Sequence, residues 1–310
     1  MKKYIEPRLR RDFGGIISAY FDFLKANFKG VINMFVGYNG VFVIFILASV
    51  YILVTGMITA IISETNSLIG ASDNDESAFV MVGAGFLFLI LVLLVATLFN
   101  YGLSSAYVSL YENRKEHNIP RQDAWAAVKS NFGGLFLIAL VAVGAYIVYL
   151  IVQVVLGFIP VLGSLASIVI GLGFNAWISL SVFSYMHNKD MSVGGALGEA
   201  WDLLFGDFWK AIGVNFVLGL IINVALIALS LLPSLLVGVY VYHSVENTGG
   251  FEDDIFGHIL LIVLLTLFCL LAMFVQLISQ TINAFLYFNL HEHKNNIYLR
   301  SRIEKLGATS

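Results

Sequence analysis

Six stretches of the chain are apolar at nearly every position: residues 41–62, 79–101, 135–157, 161–183, 211–232 and 258–285. None contains Asp, Glu, Lys or Arg. An α-helix needs about 20 such residues to cross the hydrocarbon core of a bilayer. A soluble helix shows a charged or polar face along its length, and these stretches have no charged residue to form one. The pattern predicts an all-α, polytopic membrane protein with six transmembrane helices arranged as three hairpins.

A different periodicity precedes the first, third and fifth stretches. Phe13, Ile16, Ile17, Tyr20, Phe21, Leu24, Phe28, Val31, Ile32 and Phe35 recur at helical spacing, with Asp22, Lys25, Lys29 and Asn33 on the other face. This is the signature of an amphipathic helix lying in the membrane plane. Its motif, Phe21-x-x-Leu24-Lys25-x-Asn27-Phe28, returns as Trp125-x-x-Val128-Lys129-x-Asn131-Phe132 and as Trp201-x-x-Leu204-Phe205-x-Asp207-Phe208. Ser192 is placed to cap the third such helix, with Glu199 and Asp202 on its wet face. The even-numbered spans share Phe99-Asn100-Tyr101, Phe174-Asn175-Ala176 and Ile282-Asn283-Ala284. Together these predict a single membrane domain of three parallel repeat units, about 13–111, 119–188 and 192–293, each a cytoplasmic amphipathic helix and a two-span hairpin. A short cytoplasmic tail, 294–310, follows.

Charge sets the orientation. All 17 Lys and Arg fall in the N-terminal segment, in 102–134, in 184–210 or in the C-terminal tail, and none falls in the intervening loops. Cytoplasmic loops hold the basic residues, so both termini are expected in the cytoplasm of a bacterial inner membrane. The first apolar run starts too far into the chain to read as a cleaved leader. The opposite loops carry only acids (Glu64, Asp73, Asp75, Glu76, Glu246, Glu252, Asp253, Asp254) without calcium-loop spacing.

Composition agrees. The chain is 59% apolar and 12% charged, against about 45–50% and about 25% in soluble domains. That excludes a soluble globular or disordered protein, and short membrane-flanking basic clusters give no sign of nucleic-acid binding. One cysteine, Cys269, forms no internal disulfide.

Proton- and ion-coupled transport uses ionisable groups inside the bilayer, and the six stretches have no Asp, Glu, Lys or Arg. Amides remain: Asn100, Asn175, Asn283, Gln276 and Gln280 are the candidate ligand-binding residues, the last two falling with Asn283 on one face of the sixth span. Gly83, Gly85, Gly171, Gly173, Gly213 and Gly219 permit close helix approach. Pro160 allows a tight outer turn. Pro233 should end or kink the fifth span, leaving an interfacial or re-entrant piece over 234–243. His291 and His293 point apart and suit headgroups better than a metal, and His258 stands four residues from Asp254. There is no nucleophile beside a base, no phosphate-cradling loop and no HExxH motif. No metal or other cofactor is expected.

The aromatic-led helix before each hairpin, as in Ala196-Leu197-x-x-Ala200-Trp201 ahead of Asp207-Phe208, resembles poorly characterised bacterial six-span proteins related to the membrane domain of some glycerophosphodiester phosphodiesterases. The resemblance implies an architecture and no chemistry, since the catalytic barrel of those enzymes is absent from this chain. The reading is a non-enzymatic scaffold or accessory subunit that engages membrane lipid, or a membrane or cytoplasmic protein partner, through Phe21, Phe28, Trp125, Phe132, Trp201 and Phe208. The alternative is a permease or lipid-handling protein with a polar site at the amides.

Overall fold

The computed structural model describes residues 4–68, 76–117, 119–188, 190–246, 255–298, 300 and 303–304. Eight helices cover most of them: α1 (Phe13–Leu68), α2 (Glu76–Arg114), α3 (Arg121–Ser130), α4 (Phe132–Gly157), α5 (Leu162–His187), α6 (Val193–Gly206), α7 (Phe208–Glu246) and α8 (Ile255–Asn295). No strand occurs among the described residues. Six helices (α1, α2, α4, α5, α7 and α8) are long and apolar enough to cross a bilayer. The protein is all-helical, and its helices are those of a multi-pass membrane protein.

Local chemistry explains where several helices begin. The Asp12 carboxylate accepts the Gly15 N–H at 2.8 Å at the start of α1. Ser192 caps α6, its hydroxyl accepting the Gly195 N–H at 3.1 Å, as the sequence predicts. The segments before the third and fifth spans are separate helices, α3 and α6. The first is not: α1 runs 56 residues without a break, joining the expected in-plane segment to the first span. Nothing between Phe28 and Val41 stops a helix, because the only glycines there, Gly30, Gly37 and Gly40, cost about 1 kcal/mol each and lack a following proline. Pro233 likewise fails to end the fifth span, since α7 continues to Glu246. Apolar surroundings favour a continuous helix because freed backbone groups find no water. The outer acids Asp73, Asp75, Glu252, Asp253 and Asp254, hence also the Asp254–His258 pair, lie outside the described residues, as does Lys189.

The chain packs into two compact units. The first comprises 1–35, 98–221 and 276–310. Its core is aromatic: the buried Phe23 ring meets Tyr111 at 4.8 Å, Phe285 at 5.2 Å and Tyr107 at 6.3 Å. Ala196, Ala200, Leu203 and Leu204 are buried on α6, and Trp177 of α5 donates its indole N–H to the Leu197 carbonyl at 3.0 Å. The second unit comprises 36–97 and 222–275. There α1 and α2 approach to backbone contact at Gly56 and Gly85.

The α4–α5 hairpin turns in four residues. Val161 has φ 61° and ψ −63°, and the Leu162 N–H donates to the Pro160 carbonyl at 2.7 Å. This is a γ-turn of the rarer, strained hand, occupied by a β-branched residue. Such a backbone costs roughly 1–3 kcal/mol, and glycine gives back only about 0.5–1 kcal/mol in chain entropy. Val161→Gly is therefore expected to raise stability by about 1 kcal/mol. Thermal unfolding in detergent reads this directly, and a lowered midpoint would show the turn to be unstrained.

Candidate functional site

Two polar regions in the first unit bring together side chains far apart in sequence. One gathers the C-terminal ends of α2, α5 and α8 under the segment 4–12. Arg8 lies at its centre. Its Nε stands 2.8 Å from Glu112 Oε1, and its Nη2 donates to Glu112 Oε2 at 3.2 Å. The same Nη2 meets His187 Nε2 at 3.2 Å, and the guanidinium lies 5.5 Å from the centroid of Phe288. Arginine only donates, so His187 Nε2 accepts. The imidazole proton is then on Nδ1, donated to Ser109 Oγ at 2.9 Å. The network thus assigns His187 as the neutral tautomer, stacked on Phe183 at 5.5 Å.

The rest of the segment is tied down as well. The Ile5 N–H donates to the Tyr111 hydroxyl at 2.9 Å, and the Tyr4 ring stacks on that of Tyr111 at 5.0 Å. Asn289 donates to the carbonyls of Arg11 (3.1 Å) and Leu9 (3.4 Å). Arg11 curls back onto the carbonyls of Glu6, Pro7 and Leu9. Burial lowers the Arg11 guanidinium from its ordinary pKa, while the Glu6 carboxylate opposes the shift. Burial, and then Glu6, raise the Tyr4 hydroxyl. Tyr298 donates its N–H to Glu292 at 2.9 Å and its hydroxyl to Glu6 at 3.2 Å.

Beside Arg8 lies a second knot. Glu199 of α6 accepts from the Ser184 hydroxyl, from the Tyr287 hydroxyl at 3.1 and 3.2 Å and from Asn188 at 3.4 Å, and His291 is 3.8 Å away. This corrects two expectations. Glu199 does not sit on a wet face, because α6 turns it toward α5 and α8. The His291-Glu292-His293 run is not a simple headgroup contact: Glu292 is buried, His291 stacks on Tyr287 at 5.7 Å, and His293 goes its own way toward Asp207. A cavity of about 70 Å³ remains between Arg8, His187, Asn188, Tyr287, His291 and Glu292, room for two or so waters at about 30 Å³ each. Among the described residues no group of three or more His, Cys, Asp or Glu is arranged to hold a metal.

The second region is a polar seam along α2, α5, α7 and α8. Gln280 donates from Nε2 to Ser105 Oγ and to the Ser179 carbonyl, both at 2.9 Å. Ser104 and Thr281 share a hydrogen bond of 2.8 Å, and Asn215 donates to Asn283 Oδ1 at 3.1 Å. Asn100, Gln280 and Asn283, three of the five sequence candidates, are fully buried, and Gln276 is half-buried. Asn175 is exposed instead, because the buried face of α5 runs through Gly173, Ala176, Leu180 and Phe183. Sequence reasoning missed Asn215, whose only signal was an amide near the start of the fifth span. It also missed Arg8 and Glu112, where the signal was a lone acid, Glu112, in a run of small and aromatic residues.

The repeated aromatics face outward. Phe21, Phe28, Trp125, Phe132 and Trp201 are exposed and Phe208 is half-buried, whereas Tyr20, Phe23, Ala124, Val128, Ala200 and Leu204 of the same segments are buried. Comparison with protein-family models, with curated proteins and with solved structures returned no match.

Proposed function

We propose that this chain is a non-enzymatic scaffold or accessory subunit of a bacterial inner membrane, with both termini in the cytoplasm. It engages lipid or a protein partner through the aromatic faces that precede spans one, three and five. One observation carries this reading: at three matched places the motif aromatic is exposed while its neighbour in sequence is buried. Phe21 follows buried Tyr20, Trp125 follows buried Ala124, and Trp201 follows buried Ala200. Aromatic side chains at such positions suit the headgroup boundary or a partner's surface. The alternative, a permease with a polar intramembrane site, draws less support, since the Gln280 Nε2 donors and the Asn283 Oδ1 acceptor are already engaged by adjoining helices, although buried Gln280 Oε1 has no hydrogen-bond partner among the described residues.

Replacing Phe21, Trp125 and Trp201 together by Ala tests the proposal. The wild-type protein, extracted in mild detergent, should retain a partner or phospholipid. The triple variant should stay folded and lose at least severalfold of what is retained. Wild-type protein recovered alone and lipid-free, or retention indifferent to the three changes, overturns the reading.

A further inference from the structure

The second unit contains a groove of about 1050 Å³, just above the roughly 300–1,000 Å³ range of ligand sites. It is lined by α1 (Val54, Met57, Ile61), by α7 around Ser230 and Gly238, and by α8 (Leu264, Phe268) together with their neighbours. Among the described residues that line it, none is charged and none carries an amide side chain. Two hydroxyls line it, Ser230 and Ser234, and that of Ser230 donates to the Ile227 carbonyl of its own helix at 2.9 Å. The lining is otherwise apolar and suits an apolar ligand. All of the named lining but Gly238 falls within segments long and apolar enough to cross the bilayer, so what enters the groove comes from the hydrocarbon phase.

Its height narrows the choice. On α8 the lining runs from Leu261 to Leu271, and ten residues of helix rise about 15 Å. That is half of the roughly 30 Å hydrocarbon core, the depth of one leaflet. An occupant entering from that leaflet is one chain long and apolar throughout. We infer that this groove is a lipid site that holds an acyl chain of a membrane phospholipid. It is distinct from the outward aromatics of the proposed function and stands or falls without them.

The test uses full-length protein in vesicles of phosphatidylethanolamine and phosphatidylglycerol containing a trace of phosphatidylglycerol with a diazirine in its acyl chain. After illumination, labelled peptides are mapped by mass spectrometry. Residues 54–61, 229–238 and 261–271 should be labelled severalfold more than 137–155 of α4, an equally apolar surface with many exposed side chains. A Cβ added at Gly238 meets no atom within 4 Å, so Gly238→Trp can fill the groove from its wall and should abolish the excess. Leu264→Trp is the second such variant should the first misfold. Equal labelling of the groove and α4 overturns the inference. So does loss of the label to added polyprenyl phosphate but not to added phospholipid, which assigns the groove to an isoprenoid. Cross-links between two copies of the chain at these residues overturn it too, since the groove is then an interface.

Discussion

Arg8→Ala is expected to destabilise the protein by about 3 kcal/mol, and Glu112→Ala by clearly less. The two side chains form one ion pair but differ in exposure: Glu112 retains 9% of its side-chain surface and Arg8 retains 36%. Removing one partner of a buried pair strands the other charge, at roughly 3–5 kcal/mol when burial is complete. Arg8→Ala strands the buried carboxylate and also removes the donor that holds His187 in its neutral tautomer. The partial exposure of Arg8 lowers the figure from the top of that range. Glu112→Ala leaves a guanidinium that can turn to water. Arg8→Ala with Glu112→Gln should recover much of the loss, because the charge is gone while the side-chain volume stays. Unfolding in detergent by added denaturant measures all three. A second readout is local: the segment 4–12 should open in Arg8→Ala, exposing Arg10 and Arg11 to trypsin long before global unfolding. Equal losses from the two single variants, with no rescue in the double, would falsify the claim that the carboxylate is the group at risk.

The contrast between spans and site shows what the sequence can carry. Each span is written in about twenty consecutive residues, so the six long helices are legible without any contact being known. The α6 cap is legible for the same reason, as Ser192 and Gly195 are neighbours. The breaks were less so. Pro233 is a strong local signal, yet α7 runs through it, because the gain from keeping backbone bonds satisfied is not visible in a dipeptide. The repeated Asn falls inside at Asn100 and Asn283 and outside at Asn175, since a motif fixes spacing along a helix but not its rotation. The Arg8 cluster was least legible. Arg8 lies 104 residues from Glu112 and 179 from His187, and in the sequence its charge reads only as one of many basic residues fixing orientation. Glu199 looked wet because α6 alone has two polar sides, and only docking on α5 decides which one is covered.

Gly85→Ala and Gly83→Ala, two residues apart on α2, should move stability in opposite directions. Both replacements add one methyl group and both improve intrinsic helix propensity, by about 1 kcal/mol over Gly. At Gly83 nothing lies within 4 Å of the added carbon, so the propensity gain stands. At Gly85 that carbon falls 2.7 Å from the backbone nitrogen of Leu53 and 2.9 Å from its Cα. A rotamer change cannot clear backbone atoms, so α1 and α2 must move apart. The same contact repeats from the other helix, where a Cβ on Gly56 falls 2.8 Å from the Val82 nitrogen. Separation therefore loosens the contact at two points, and overpacking of this kind costs roughly 1–3 kcal/mol or more. Without water to drive helices together, close packing is a principal source of their association in a bilayer. Gly85→Val should exceed the alanine variant and fall at the top of that range, about 3 kcal/mol, because a branched Cβ adds two more atoms at the same contact. Resistance to unfolding by sodium dodecyl sulfate, titrated in mixed micelles, ranks the variants. The order Gly83→Ala, wild type, Gly85→Ala, Gly85→Val is expected from most to least stable. If Gly83→Ala and Gly85→Ala prove equally harmful, the helix suffers from losing glycine as such, and the α1–α2 approach at Leu53 is not what glycine is there to permit.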